Sequence, residues 1–315
     1  MDDGGPGTRH LGLDLGGTNL KWAVVARDGE AWTTLATGQG PTEAGEGPDA
    51  IVARMGDVGA SVINDWPGVV SAGLGVPGLY DPEAGTLTRN RVVPGAWAGR
   101  PVAGPVGERL GVPAFLINDA RAFGLAELRL GAGRGAASMV GLTLGTGVGG
   151  VIAIDGKVLQ GHDGTAGEVG HQTIDPDGPW CGCGNRGCLE AYARADQIAA
   201  ACGTTTAEQA VARARSGDVR ALDGLAMVGR YLGIGIANMV TVIAPDRVVI
   251  GGGIAAAGDL LLAPIREELA RRVKTTSLEP VELVQAELGT WAGSIGAAVH
   301  GAERAAAARE RAAQA

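Results

Sequence analysis

Over residues 10–27, HLGLDLGGTNLKWAVVAR, two apolar runs are separated by Gly16, Gly17 and Thr18, which predicts two β-strands joined by a glycine-rich turn. Asp14 lies inside the first run, where a carboxylate is costly unless it binds something. Farther on, Ile51, Met55, Val58 and Val62 recur at helical spacing within 48–66, and 69–76 is an apolar strand that enters a Pro77-Gly78 turn near Asp81. The Gly/Pro-rich stretch 85–105 predicts a loop with little regular structure. Residues 112–117 predict a strand that ends in Asn118-Asp119-Ala120, before a helix over 121–130. Residues 196–244 are largely helical in pattern, 246–250 predict a strand, and Gly251-Gly252-Gly253 lead to a helix over 256–272. A short apolar segment at 281–283 and an alanine-rich helix over 292–312, with a fraying end, complete the pattern.

The first unit recurs. Residues 141–154, GLTLGTGVGGVIAI, align with 12–25 without gaps, matching Gly12, Leu13, Leu15 and Gly16 to Gly141, Leu142, Leu144 and Gly145. Two copies of strand, glycine turn and strand suggest a duplicated domain whose turns face each other across a cleft. Such turns leave backbone N–H groups outward, which suits a phosphate, although a Gly-Gly turn can also be only a hairpin. Asp14 becomes Thr143 in the second copy, so the first alone keeps a carboxylate for magnesium. Three glycines at Gly251, Gly252 and Gly253 leave room for a flat ring against the backbone, where a strand-to-helix turn needs one at most. Asn118 and Asp119 either cap the helix that follows or supply chemistry, since open α/β sheets place functional groups at the carboxyl ends of strands.

Residues 164–192, GTAGEVGHQTIDPDGPWCGCGNRGCLEAY, carry three of the four cysteines. His171, Cys181, Cys183 and Cys188, with Gly182, Gly184 and Gly187 between the sulfurs, form a Cys3His ligand set for structural Zn2+. The other reading is a group of small buried thiols, or a disulfide with a spare. Cys-x-Cys makes a poor local disulfide because the two side chains point to opposite faces of extended backbone. Glu168 and Glu190 flank the ligands and are not needed to complete them, and one ring nitrogen of His171 can bind metal while the other points outward. A metal-stiffened loop aiming Glu168, His171 and Glu190 at a polyhydroxylated ligand follows; two solvated surface carboxylates are the alternative.

Composition narrows the classes. The 315 residues are 45% hydrophobic, enough for two cores, and the 55 glycines follow no collagen period, so they serve turns, close contacts and ligand loops. A net charge of -8 without a Lys/Arg cluster argues against nucleic acid. Apolar runs such as 233–244 fall short of the roughly 18 residues of a membrane span. Residues 1–9 read as a short disordered lead without signal-peptide character, so a cytoplasmic, reducing location is expected. His10, His162, His300 and Cys202 lack partners at a telling spacing and read as structural.

Asp14-Leu-Gly-Gly-Thr-Asn-Leu-Lys21, Val76-Pro77-Gly78, Asn118-Asp119-Ala120, GTGVGG at 145–150, AGEVGH at 166–171 and CGCGNRGCLE at 181–190 resemble, in this order, the signatures of the ROK sugar kinases. The resemblance runs from about residue 12 to about residue 301 and is closest to bacterial ROK glucokinases. It implies an α/β, actin-like (hexokinase-like) fold of two domains with a duplicated sheet core: a small domain over 10–118, with helix 292–312 packing back on it, and a large domain over 119–291 that includes the zinc loop. ATP and a hexose, glucose first among them, would lie in the cleft, with Mg2+ on the phosphates and Asp119 as general base. Asn118, Glu168, His171 and Glu190 match sugar-contacting positions. Gly16, Gly17, Thr18 and Asn19, then Gly145, Thr146, Gly147, Val148, Gly149 and Gly150, match the two phosphate segments, and Gly251, Gly252 and Gly253 the adenosine segment.

A homodimer or higher homo-oligomer is implied as well. Arg121, Val151 and Arg91 depart from the pattern and bear on the preferred sugar and the nucleotide fit. Other hexoses, N-acetylated hexosamines and a polyphosphate donor are alternatives within the kinase reading. The alternative from another class is a non-catalytic sugar sensor, because the family includes repressors; those carry an extra winged helix, for which Asp14 arrives too early.

Overall fold

The computed structural model describes residues 7–90, 93–162 and 164–314. The chain divides into two compact units: the described residues of Met1–Leu130, His162–Thr165 and Trp291–Ala315 form one, and those of Gly131–Gly161 and Ala166–Thr290 the other.

In the first unit, β1 (Thr8–Leu15), β2 (Asn19–Asp28) and β3 (Ala31–Pro41) form an antiparallel meander. Helix α1 (Pro48–Asp65), β4 (Val69–Val76), the short strands β5 (Leu79–Asp81), β6 (Thr86–Arg89) and β7 (Arg100–Pro101), α2 (Ala103–Leu110), β8 (Ala114–Asn118) and α3 (Asp119–Leu130) follow. The main sheet has the order β3-β2-β1-β4-β8, with β4 and β8 parallel to β1. Period-two alternation decides its faces. Leu11, Leu13 and Leu15 of β1 join Ile51 and Met55 of α1 in one core, while a Cβ on the intervening Gly12 would lie 1.8 Å from the Ser294 carbonyl oxygen.

In the second unit, β9 (Ser138–Leu144), β10 (Val148–Ile154) and β11 (Lys157–Val158) precede α4 (Glu190–Ala193), α5 (Ala195–Cys202), α6 (Ala207–Arg215) and α7 (Val219–Ile243). Then come β12 (Arg247–Gly251), α8 (Asp259–Arg272) and β13 (Glu282–Gln285). The sheet order is β11-β10-β9-β12-β13, again with the first three strands antiparallel and the other two parallel to the first. The last helix, α9 (Ala292–Gln314), returns to the first unit and packs on β1, β4 and α3. Its approach is close enough that a Cβ on Gly73 or Gly296 would lie 1.7 Å from a facing carbonyl oxygen.

Several expectations need correction. The repeat is not gapless: Leu15 pairs with Leu20 in the first hairpin, but Leu144 pairs with Val148 in the second, so the second turn is one residue shorter. Its closing bond runs from Gly145 N–H to the Gly147 carbonyl, where the first runs from Gly16 N–H to Asn19. A one-residue slip would have turned every β10 side chain to the wrong face, so the turn absorbs the difference. The stretch expected to be a loop at 85–105 holds β6, β7 and the start of α2, and β5, β6 and β7 pair as a small antiparallel sheet around the buried Leu87. Thr8 and Arg9, read as disordered lead, belong to β1; Arg9 stacks over Trp66 and donates to the Pro67 carbonyl at 2.6 Å. Residues 1–6 and Arg91 lie outside the described residues.

Helix α7, at 25 residues, is long and apolar enough to cross a membrane by length and composition, so the apolar stretch is longer than the run at 233–244 suggested. Its interior glycines do not break it, because they serve packing. A Cβ on Gly229 would lie 2.7 Å from Pro264, and one on Gly233 2.6 Å from Glu268, both on α8. Leu225, Val228, Leu232, Ile236 and Val240 are fully buried in the second unit's core.

Candidate functional site

The first unit carries Asp14, the Gly16–Asn19 turn, Asn118 and Asp119. The turn is braced from β3: Thr42 N–H donates to the Thr18 carbonyl at 2.9 Å, and the buried Thr42 hydroxyl donates to the Gly16 carbonyl at 2.7 Å. Gly17 and Thr18 are exposed, while Gly16 and Asn19 are half-buried. Asp14, last but one in β1, faces Lys21 across the hairpin. Its carboxylate reaches the first turn of α9, where a Cβ on Gly293 would lie 2.4 Å from Oδ2; only glycine leaves that room. Asp14 keeps some exposure although protein surrounds it, and burial, then the charge of Asp119, push its pKa up to about 7 against the pull of Lys21. An enclosed carboxylate held that high is one that a cation would stabilise.

Asn118 and Asp119 sit where β8 ends and α3 begins. Asn118 Oδ1 accepts the N–H groups of Ala120 at 3.1 Å and Arg121 at 3.2 Å, so it caps α3. Its Nδ2 donates to the Gly78 carbonyl at 3.2 Å and to Asp119 Oδ1 at 3.0 Å, and Asp119 Oδ1 also accepts the Ala120 N–H at 2.9 Å. Two donors at the N-terminus of α3 therefore fix the Asp119 carboxylate in orientation. The capping alternative and the chemical one are compatible: the cap is what orients Asp119.

The second unit carries the other glycine segments and the cysteine loop. In the second turn Thr146 is exposed, Gly145 and Gly147 are half-buried, and Val148 is buried; Gly149 and Gly150 continue into β10. Gly150 has a packing reason, since a Cβ there would lie 2.1 Å from the Val169 side chain. Gly251 ends β12 beside Thr143. Gly252 has φ of +85°, and a Cβ would lie 2.1 Å from the Leu144 carbonyl oxygen, so this glycine is required by the backbone itself. Nothing stands within 4 Å of a Cβ at Gly253, which is open.

His171, Cys181, Cys183 and Cys188 converge, with their ligand atoms all within 4.8 Å of one another. Cys183 Sγ lies 3.7 Å from Cys188 Sγ, and Cys181 Sγ lies 3.6 Å from His171 Nδ1. A tetrahedral zinc with sulfur at about 2.3 Å and nitrogen at about 2.0 Å sets such edges at about 3.5–3.8 Å, so the donor set fits that ion. Nδ1 is the nitrogen turned to the sulfurs, which leaves Nε2 on the outward side. The four cysteines are all free thiols. Glu168 is exposed at the start of the short 3-10 turn Val169–His171. Glu190, first in α4, places Oε1 3.5 Å from Cys181 Sγ and accepts Val148 N–H on Oε2 at 3.0 Å.

Sequence reasoning missed Thr42, Lys21 and Gly293 as parts of this machinery. Thr42 follows a strand that was not expected, and Gly293 acts only through the return of α9. The Lys21 register was readable from the hairpin itself. Of the departures from pattern, Arg121 and Val151 are both fully buried, the latter in β10. His10 meets Ser71 Oγ at 2.8 Å, and the buried Cys202 donates to the Ala221 carbonyl.

Two five-stranded mixed sheets of the same strand order, each starting from a glycine-turned hairpin, define an α/β protein of the actin-like, hexokinase-like two-domain class. The profile of the ROK family matches residues 10–303, and the chain belongs to that family. The glucokinase of Thermotoga maritima is 34% identical over 312 residues, spanning 93% of this chain and 97% of that relative. The crystal structure of a ROK family glucokinase from Streptomyces griseus, in complex with glucose and AMPPNP, matches with a TM-score of 0.79 at 31% identity over 94% of this chain and 99% of that one. The xylose repressor of Bacillus subtilis is 30% identical over 234 residues, 73% of this chain and 60% of the repressor.

Proposed function

We propose that this sugar kinase of the ROK family transfers the γ-phosphoryl group of ATP to the 6-hydroxyl of glucose, with Asp119 as the general base. The observation that carries the proposal is the Asp119 carboxylate, oriented at the N-terminus of α3 by two N–H donors and close enough to Asp14 to raise its pKa. Asp119 accepts the hydroxyl proton as the sugar oxygen bonds to the γ-phosphorus, and the bond from that phosphorus to the bridging oxygen breaks to release ADP. Phosphoryl transfer asks mainly for positioning and charge stabilisation. The exposed turn residues Gly17 and Thr18 of 16–19 and Thr146 of 145–150 suit the phosphates, and the open backbone at Gly253 beside Gly252 suits the adenosine. Mg2+, when bound beside Asp14, supplies charge neutralisation on the phosphate oxygens.

Asn118, Glu168, His171 and Glu190 are assigned to the sugar hydroxyls, and His171, Cys181, Cys183 and Cys188 to a structural Zn2+. Relatives named glucokinases, one of them solved in complex with glucose, support glucose as the substrate. Four free cysteines suit a reducing cytoplasm. The repressor likeness favours a second reading, a sugar-binding regulator without turnover.

An ADP-release assay over glucose, fructose, mannose and N-acetylated hexosamines separates these. Turnover fastest with glucose is expected; faster turnover with another sugar moves the substrate, and sugar binding without ADP release selects the regulator. Asp119→Asn is expected to fold and to bind glucose while turnover falls by about 100-fold to 10,000-fold. Turnover close to wild type in that variant removes the general-base assignment.

A further inference from the structure

Glu190 touches two structures at once. One carboxylate oxygen stands 3.5 Å from Cys181 Sγ in the cysteine cluster, and the other accepts the Val148 N–H, at the exit of the second glycine turn, at 3.0 Å. The turn is shaped to receive it: a Cβ on Gly147 would lie 2.5 Å from Oε2, so no larger residue fits while the carboxylate is there. The entrance of the same turn is held by the same segment, since Ala195 N–H donates to the Gly145 carbonyl at 2.8 Å. On the far side of the cluster, Gly170 lies so close to β10 that a Cβ would be 1.9 Å from the Val148 carbonyl oxygen. Segments on both sides of the cysteines thus grip residues 145–148.

We infer that Glu190 is a positioning residue for the second glycine turn, and that through it the Cys3His cluster sets the nucleotide side of the reaction as well as the sugar side. The inference rests on the assignment of 145–150 to nucleotide phosphates. A turn of three residues has few backbone hydrogen bonds of its own, and only one, from Gly145 N–H to Gly147, closes this one. The bond from Val148 to a charged acceptor is a substantial part of what fixes its N–H groups. When the cluster is emptied, Cys181 and Cys188 lose their common anchor, and Glu190, two residues beyond Cys188, loses its own.

The test uses the full chain without turnover. Calorimetric titration with an ATP analogue and Mg2+, and separately with glucose, is run on wild type, chelator-treated protein, Glu190→Ala, Glu190→Gln and Glu168→Gln. Hydrogen exchange of the Val148 amide is followed in each. Glu190→Ala and metal removal are expected to weaken analogue binding by about tenfold or more, in line with a lost hydrogen bond to a charged group, and to speed Val148 exchange. Glu190→Gln is expected to recover most of the analogue affinity, because its amide oxygen still accepts from Val148, yet not the glucose affinity. Glu168→Gln is expected to weaken glucose alone.

Analogue affinity within twofold of wild type in both Glu190→Ala and the metal-free protein overturns the inference and leaves Glu190 to the sugar. If Gly149→Val leaves analogue affinity unchanged, the phosphate assignment itself falls, and this inference with it. Should Glu190→Ala not fold, the metal-free protein and the Val148 exchange rate decide.

Discussion

The two hairpins share a topology but are secured in different ways. The first turn, Gly16–Asn19, is fastened by its own meander: Thr42, one residue past β3, ties down the carbonyls of Gly16 and Thr18. The second, one residue shorter, has no such strand beyond it among the described residues, where β11 has only two residues. It is fastened instead by Glu190 and Ala195, which follow the cysteine cluster. A duplicated core therefore does not imply duplicated support. The copy whose third strand is short is held by the segment that follows the cysteine cluster.

The largest effect on that contrast is expected from the cluster. Cys188 is fully buried, and a structural zinc contributes on the order of 10 kcal/mol in isolated binding peptides. Metal analysis is expected to return one zinc per chain in wild type, and Cys188→Ser to lose it with a large drop in thermal stability. A zinc-free wild type of unchanged stability would detach the second turn's support from any metal. Next comes Gly252→Ala, which forces a side chain onto the Leu144 carbonyl at positive φ and is expected to cost about 2–4 kcal/mol in denaturant unfolding. A cost below about 1 kcal/mol would mean that the β9–β12 junction relaxes easily.

The first unit also has a distinct response to acid. Burial and Arg304 hold His300 down to about 4, against a hydrogen bond with the Leu116 backbone; burial, Arg27 and Arg309 do the same for His10. The unfolded chain takes up those protons near pH 6.5, so the stability each histidine contributes is complete above that pH and is lost as pH falls toward 4. For His300 the slope reaches about 1.4 kcal/mol per pH unit. Asp14 opposes this, because at about 7 it keeps a proton that the unfolded chain has already released. Ligand-free wild type is expected to lose stability between pH 6 and about pH 4.5, and His300→Gln to lose much less. An unchanged slope in His300→Gln would contradict a neutral buried imidazole. The smallest effect is expected from Thr42→Val, about 1 kcal/mol for one hydroxyl bond, read by thermal unfolding together with nucleotide affinity. A loss as large as that from Glu190→Ala would erase the contrast between the two braces.

Much of this was legible in the residues alone. The cysteine spacing identified a ligand set whose atoms converge within 4.8 Å, and the repeated glycine hairpins pointed to two sheets of one topology. The missing parts lay where local pattern is weak. Strand β3, AWTTLATGQGP, is an edge strand of threonines and glycines, and Gly38 is there to let the Trp22 ring lie against the backbone, with a Cβ only 2.3 Å from it. The shortened second turn was hidden because glycines match glycines whether or not a residue is skipped. Gly293 beside Asp14 joins positions far apart in the chain, and no periodicity reports such a contact.

The return of α9 has a consequence for biosynthesis. The strands of the first unit are made before the second unit, but the helix that covers β1 and β4 is made after it. At roughly 5–20 residues per second, that sheet waits on the order of ten seconds for its lid, while all the strands and helices of the second unit emerge in between. Removal of 292–314 would leave the face of β1 and β4 that this helix covers without its partner.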